Sequence, residues 1–354
     1  MSLHFIFGRA GTGKTTRCCR EIQDYLKKTP GGRAYLLVPD QGTYTAEYLL
    51  AKSFPGAGFI DVTVCGFSRL AYRVFQELHS PVSDALSPLG QQIILRRLLD
   101  AHKDELQVIL RAASQPHFSE KLTAFFHQLD MFLVTEDDLL AASQREGETP
   151  LGKKLADLSL LYKAYHDYLR MHFAYEGSLF DLLAREIPKS EKLRGSHIWI
   201  DGFNGMAPQK IRIVSALVHT AEEVTMTLQM DSPEEAAENP NFARPYQLYS
   251  QLQGAIRHSS SIVLTEEKRF RTSDLSLMAR HFFERHARPR PEDGRAKEGL
   301  HLITAESPKE EVDLISRTIT SLVRDKGLRY RDILVLSRTP ENYSDLFTRS
   351  FATY

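Results

Sequence analysis

Eight consecutive residues carry the most specific chemistry in the chain: Gly8-Arg9-Ala10-Gly11-Thr12-Gly13-Lys14-Thr15 satisfies the pattern G-x-x-x-x-G-K-[ST]. Glycines at those places let the backbone wrap closely around phosphate oxygens, and amide N–H groups together with a following helix N-terminus present positive potential to them. Lys14 neutralises β/γ oxygens, and the Thr15 hydroxyl is of the kind that ligates Mg²⁺. All eight residues, Gly8 to Thr15, are therefore expected to bind nucleotide, with ATP and Mg²⁺ as the cofactors. A second metal position is Asp201, which closes the apolar run Ile198-Trp199-Ile200, because a strand-end aspartate orients Mg²⁺ in phosphate-loop enzymes. The next residue is Gly202, where a hydrolysing motor would carry a glutamate. Hydrolysis depends almost wholly on positioning, so turnover without that carboxylate is expected to fall by orders of magnitude, and no catalytic residue is assigned.

The elements that must position these groups follow from apolar spacing. Leu3–Phe7 is a short apolar run ended by the glycine-rich turn; Cys18, Cys19, Ile22, Tyr25 and Leu26 then recur at helical intervals until Pro30-Gly31-Gly32, and Ala34–Val38 reads as a second strand. Ile60–Val64 reads as a third strand, leading into a helix with Phe67, Leu70, Ala71, Val74, Phe75 and Leu78 on one face. Residues 86–189 carry helical spacing throughout and read as an all-helical insertion. The α/β pattern then resumes with a strand at His197–Asp201, a helix opened by Pro208 and a strand at Val224–Met230. Residues 1–85 and 190–265 thus predict one α/β domain with a parallel sheet and a phosphate loop. Residues 231–241 read as a surface loop. Residues 266–298, with Arg269, Arg271, Arg280, Arg285, Arg288, Arg290 and Arg295 among acidic neighbours, read as a solvated linker. Residues 299–354 read as the start of a second α/β domain (strands at Gly299–Ala305 and Asp332–Ser337, helix at Pro308–Arg324), with the look of a truncated unit.

Composition narrows the function classes. With 354 residues, 42% of them apolar, the chain has ample material for a core of about two domains. Forty-five basic residues balance forty-five acidic ones, so no whole-chain basic excess drives nucleic-acid binding, and any such contact must come from a local patch. Cys18, Cys19 and Cys65 form neither a disulfide framework nor a metal-ligand spacing, and the thirteen histidines add none, which favours a reducing, cytoplasmic setting. No apolar run approaches the roughly 18 residues of a membrane span.

The order of motifs resembles that of the N-terminal part of AddB, a subunit of bacterial AddAB helicase-nucleases and a degenerate relative of the UvrD/RecB helicases. The resemblance rests on Phe7 to Thr15; on Leu37-Val38-Pro39-Asp40-Gln41 running on to Glu47-Tyr48; on Phe67-Ser68-Arg69-Leu70-Ala71; on Ile200-Asp201-Gly202-Phe203 with Pro208-Gln209; and on Asp332 to Arg338. It covers essentially the whole chain. It implies a helicase-like phosphate-loop fold and a subunit that binds ATP and DNA without being the motor. The implied partner is a larger, AddA-type helicase-nuclease subunit in a heterodimer that resects double-strand breaks for homologous recombination and repair, with a hotspot sequence read within this subunit. Single- and double-stranded DNA are implied ligands, and no membrane is.

By the same resemblance Gln41, Thr43, Phe67, Ser68, Arg69 and Arg338 become candidates for DNA contact, Phe67 by stacking and Arg69 through phosphate. The segment Thr227 to Asp231 lacks the Gly-Asp-x-x-Gln signature of working helicases, and neither the nuclease residues nor the iron–sulfur cysteines of the family are present. Two rival readings stay open: an autonomous UvrD-type ATPase using Glu222 or Glu223 as a hidden catalytic carboxylate, and a non-enzymatic scaffold with a vestigial phosphate loop.

Overall fold

A computed structural model of the chain describes all residues except 1, 55–60, 81–85, 114, 116, 174–178, 257, 271 and 282–298. Its contacts divide the chain into two units, residues 1–270 and 271–354. The first is built on β1 (Ser2–Gly8), α1 (Lys14–Lys28), β2 (Ala34–Leu37), α2 (Thr43–Ser53), β3 (Val62–Cys65) and α3 (Phe67–Leu78). After a helical stretch come β4 (His197–Ile200), α10 (Pro208–Thr220), β5 (Glu223–Leu228), α11 (Pro233–Glu238), α12 (Ala243–Ala255) and β6 (Ser259–Leu264). The six strands form one all-parallel sheet in the order β3-β2-β4-β5-β1-β6. The α/β fold is thus the one the sequence predicts.

Period-two alternation explains how the strands are buried on both faces. Leu3, Phe5 and Phe7 of β1, Tyr35 and Leu37 of β2, and Ile198 and Ile200 of β4 enter one core, under α3, α10 and α12. Ile6, Leu36 and Trp199 enter the other, where Cys18, Cys19 and Ile22 of α1 meet them. The cysteines are buried packing groups; burial pushes the Cys19 and Cys65 thiols up to about 11, which keeps them unreactive.

The intervening stretch holds α4 (Pro88–Ala101), α5 (Leu110–Ala113), α6 (Phe118–Phe132), α7 (Glu136–Glu146), α8 (Pro150–Phe173) and α9 (Leu179–Glu186). Helices α4 to α8 share a core of their own around Leu95, Phe126, Leu161 and Tyr165. Within it the buried Asp157 carboxylate accepts N–H bonds from Gln107, Val108 and Ile109 at 2.8–3.1 Å, which satisfies the turn leading into α5. Helix α9 differs: its Leu183, and Ile187 in the turn that follows it, lie in the sheet core, so the end of the expected insertion is a layer on the sheet.

Three expectations change. Residues 231–241 are not a bare loop: Ser232 caps α11, its Oγ accepting from Glu235 N, and Ala236 is buried. The sixth strand, β6, is masked in the sequence by Ser259-Ser260-Ser261; as an edge strand it needs no apolar face on both sides. In the second unit, α13 (Ser273–His281), α14 (Pro308–Lys326) and α15 (Ser344–Thr353) form, and α14 meets α15 through Ser316 and Ser350 hydroxyls 2.8 Å apart. The segments 300–305 and 333–337, however, are not strands, because extended backbone becomes strand only by pairing and neither segment pairs among the described residues. Ile60 and residues 282–298 of the arginine-rich run lie outside the described residues.

Candidate nucleotide site

Parallel strands place their C-terminal ends at one edge of the sheet, where α/β folds bind ligands. The β4–β5 and β1–β5 registers pair Ile200 with Met226 and Phe7 with Leu228, so Gly8, Asp201 and Thr227 meet at that edge. The turn from β1 into α1 needs its glycines. Gly11 and Gly13 both have φ +88°, a conformation that side chains with a Cβ rarely adopt, and Gly13 is the residue from which α1 starts. No acidic residue sits in the first turn of α1, while Lys27 and Lys28 sit in the last, an arrangement that leaves the N-terminal end positive.

Within this turn the Lys14 ammonium donates to the Gly8 carbonyl at 2.6 Å and to the Arg9 carbonyl at 3.0 Å. Burial lowers its pKa below the ordinary lysine value, the nearby Asp201 carboxylate opposes that, and Arg269 adds to it. Thr15 Oγ1 donates to Asp201 Oδ2 at 2.6 Å, and the Thr227 hydroxyl donates to Asp201 Oδ1. Asp201 is 6% exposed, so its charge sits largely out of water with both oxygens satisfied by hydroxyls. Arg9 turns away from the turn, paired two-pronged with Asp231 at 2.7 Å and lying over the Phe242 ring.

A cleft of about 410 Å³ opens on these groups, with Lys14, Thr15 and Asp201 in its wall. No cluster of three His, Cys, Asp or Glu side chains suited to a metal exists among the described residues. Mg²⁺ does not require one, since it is commonly held by one or two protein oxygens together with phosphates and water. A hydroxyl and a carboxylate 2.6 Å apart at the mouth of the glycine-rich turn fit that donor set.

Several residues that line the cleft give no signal in the sequence: Thr227 and Gln229 at the end of β5, Leu49, Asn204, Lys268 and Arg269. Lys268 and Arg269 read as linker by composition; in the fold, Lys268 N–H donates to the Gly11 carbonyl at 2.9 Å. Gly202 has φ +82° and lies against Pro39, so its backbone suits glycine and not the glutamate of a hydrolysing motor. Glu222 and Glu223 lie at the start of β5, at the opposite end of the sheet, 3.6 and 3.7 Å from His197 nitrogens. The strand carries them roughly 13–17 Å from Thr227 in the cleft wall, which removes them as hidden catalytic carboxylates.

Residues 5–279 match the family model described as ADDB, N-terminal. The chain belongs to the AddB N-terminal family. Its relatives include the B-subunits of ATP-dependent helicase/deoxyribonucleases: it is 35% identical to that of Pelotomaculum thermopropionicum, 34% identical to that of Bacillus subtilis and 33% identical to that of Moorella thermoacetica, with the whole chain covered each time. It spans 31–32% of the length of those relatives, about a third. No helix among the described residues is long and apolar enough to cross a membrane.

The six DNA-contact candidates of this AddB-family chain separate into three groups. Gln41, Thr43, Ser68 and Arg69 follow β2 and β3 at the same sheet edge as the phosphate loop; Gln41 and Arg69 are exposed, while Thr43 is half-buried with its hydroxyl donating to the Asp40 carbonyl. Phe67 is 2% exposed and packs against Phe203 with ring centroids 5.4 Å apart. The expected stacking role is corrected here, because a ring committed to the core offers no face to a base. Arg338 is exposed and belongs to the second unit.

Proposed function

We propose that this chain is the nucleotide-holding, DNA-contacting and non-motor part of an ATP-dependent helicase/deoxyribonuclease subunit. It works as a heterodimer with a larger, motor-bearing AddA-type subunit, in the cytoplasm, resecting double-strand breaks for recombinational repair under control of a hotspot sequence. The names of the relatives support the complex. The nucleotide role is carried by one observation: Lys14, Thr15 and Asp201 converge on one cleft while the adjoining position 202 has the backbone of a glycine.

On this reading Lys14 leaves the Gly8 and Arg9 carbonyls for β/γ phosphate oxygens, the turn's amides hold the remaining oxygens, and Thr15 with Asp201 holds Mg²⁺. When bound, Mg²⁺ supplies neutralisation of phosphate charge. Without a carboxylate to orient water, the nucleotide stays intact and acts by stabilising the arrangement that binds it. Gln41 and Arg69 meet the DNA backbone at the neighbouring strand ends.

Calorimetric titration of the chain with Mg·ATPγS, alongside Lys14→Ala and an ATP-turnover assay with single-stranded DNA, tests this. Binding lost in Lys14→Ala with negligible turnover is expected. Sustained DNA-stimulated hydrolysis would instead support an autonomous motor, and absence of binding a vestigial loop.

A further inference from the structure

Of the residues expected to bind nucleotide, Ala10, Gly11, Gly13, Lys14 and Thr15 line the cleft, and the Arg9 side chain turns the other way. Its main-chain carbonyl is the acceptor on which the turn closes: Thr12 Oγ1 donates to it at 2.9 Å and Lys14 Nζ at 3.0 Å. The guanidinium is gripped from outside, by both oxygens of Asp231 at 2.7 Å and by the Phe242 ring, whose centroid lies 5.6 Å away. Both grips are anchored. Asp231 stands three residues beyond β5 and directly before the Ser232 cap of α11, while Phe242 ends the turn that leads into α12 and packs on the sheet core. With side chains 32% and 19% exposed, the ion pair is two-pronged and partly withdrawn from water, which distinguishes it from a screened surface pair.

We propose that Arg9 is a positioning residue, clamped by Asp231 and Phe242 so that the glycine-rich turn keeps the shape that receives phosphate. The inference rests on the nucleotide reading given above, in which Lys14 leaves the Gly8 and Arg9 carbonyls for phosphate oxygens. That departure removes two of the bonds that close the turn. The side-chain clamp survives the exchange and holds the Arg9 peptide in place, so the turn binds without first having to be ordered. Residues 231–241, which read in the sequence as a surface loop, thereby become, with Phe242, a buttress of the site.

The test titrates the 354-residue chain calorimetrically with Mg·ATPγS and with Mg·ADP, alongside Arg9→Met, Asp231→Asn, the double variant and Arg9→Lys. The two single variants change the local charge in opposite directions, so an effect of charge alone would weaken binding in Arg9→Met and strengthen it in Asp231→Asn. Loss of the clamp weakens binding in both, by roughly five- to tenfold if the receptive turn then forms about 10–20% of the time. The loss is equal for the two nucleotides, and the double variant falls no further than the weaker single one. Arg9→Lys, which keeps the charge on a single prong, falls between. Melting of each variant without nucleotide reports on folding, and Arg9→Lys, the mildest change, decides the matter should another variant melt below the assay temperature. Opposite signs in the two single variants, multiplied losses in the double variant, a loss confined to ATPγS, or lower melting with unchanged affinity would overturn the assignment while leaving the nucleotide site in place. If the unmodified chain binds neither nucleotide, the site reading itself fails and this assignment with it.

Discussion

Asp201→Asn separates the electrostatic role of this buried group from its structural one. The side chain keeps its shape; of the Thr15 and Thr227 hydroxyls that now donate to its two oxygens, one can go on donating to the amide oxygen while the other rotates to accept from the amide N–H. What is lost is one negative charge at a position 6% exposed. With Mg²⁺ present, that charge contributes through the cation or one of its waters about 1.5–3 kcal/mol, the range for hydrogen bonds to charged groups. Affinity for Mg·ATPγS should therefore fall roughly 10- to 150-fold. In EDTA the sign reverses. The carboxylate then repels the triphosphate by about 1 kcal/mol at a separation of about 6 Å, so its removal raises affinity roughly fivefold. Calorimetric titration of wild type and variant in the two media reads both effects from one protein preparation. A loss of similar size in both media would refute the reasoning, because it would make Asp201 a scaffold for the turn and not a cation ligand.

Gly202→Glu should not restore hydrolysis, since a side chain at φ +82° costs about 1–2 kcal/mol and meets Pro39; turnover in the variant, checked by phosphate release, should stay at the wild-type background. Nucleotide affinity should fall as pH rises through the alkaline range, starting below the ordinary lysine value, because burial lowers the Lys14 pKa and the neutral amine no longer attracts phosphate. Binding then takes up a proton, visible as buffer-dependent calorimetric heat, and Lys14→Arg, whose guanidinium stays charged throughout that range, should show weaker binding without this pH dependence. Asp157→Ala should strip the partner from three N–H groups at the entry to α5 and destabilise the first unit by about 3 kcal/mol, a fall of several degrees in melting temperature.

The sequence makes the glycine-rich turn and the sheet legible for physical reasons. A G-x-x-x-x-G-K-T turn needs a strand before it and a helix after it, and the double-sided apolar runs at Leu3–Phe7, Ala34–Val38 and His197–Asp201 are what a two-face buried parallel sheet requires. Asp201 is legible because it ends such a run. The β6 edge strand is not, since pairing to β1 on one side suffices to hold three serines in extended form. Nor are Lys268 and Arg269, because charge composition reads as solvated chain until the fold bonds Lys268 to Gly11. Phe67 shows the converse: an aromatic residue beginning a helix suits stacking by type, yet the helix turns that face into the core. The apolar segments 300–305 and 333–337 have strand composition without strand partners among the described residues, and pairing, not composition, makes a sheet.

The central claim is a cradle that holds ATP and leaves it whole. Its most direct test is to mix the chain with Mg²⁺ and ATP labelled on both the adenine and the terminal phosphate, recover the protein by filtration at intervals, and identify the nucleotide it carries. Intact ATP retained on the unmodified chain, and none on Lys14→Ala, is the result the account predicts. Bound ADP accumulating with released phosphate, or no nucleotide retained at all, would contradict it.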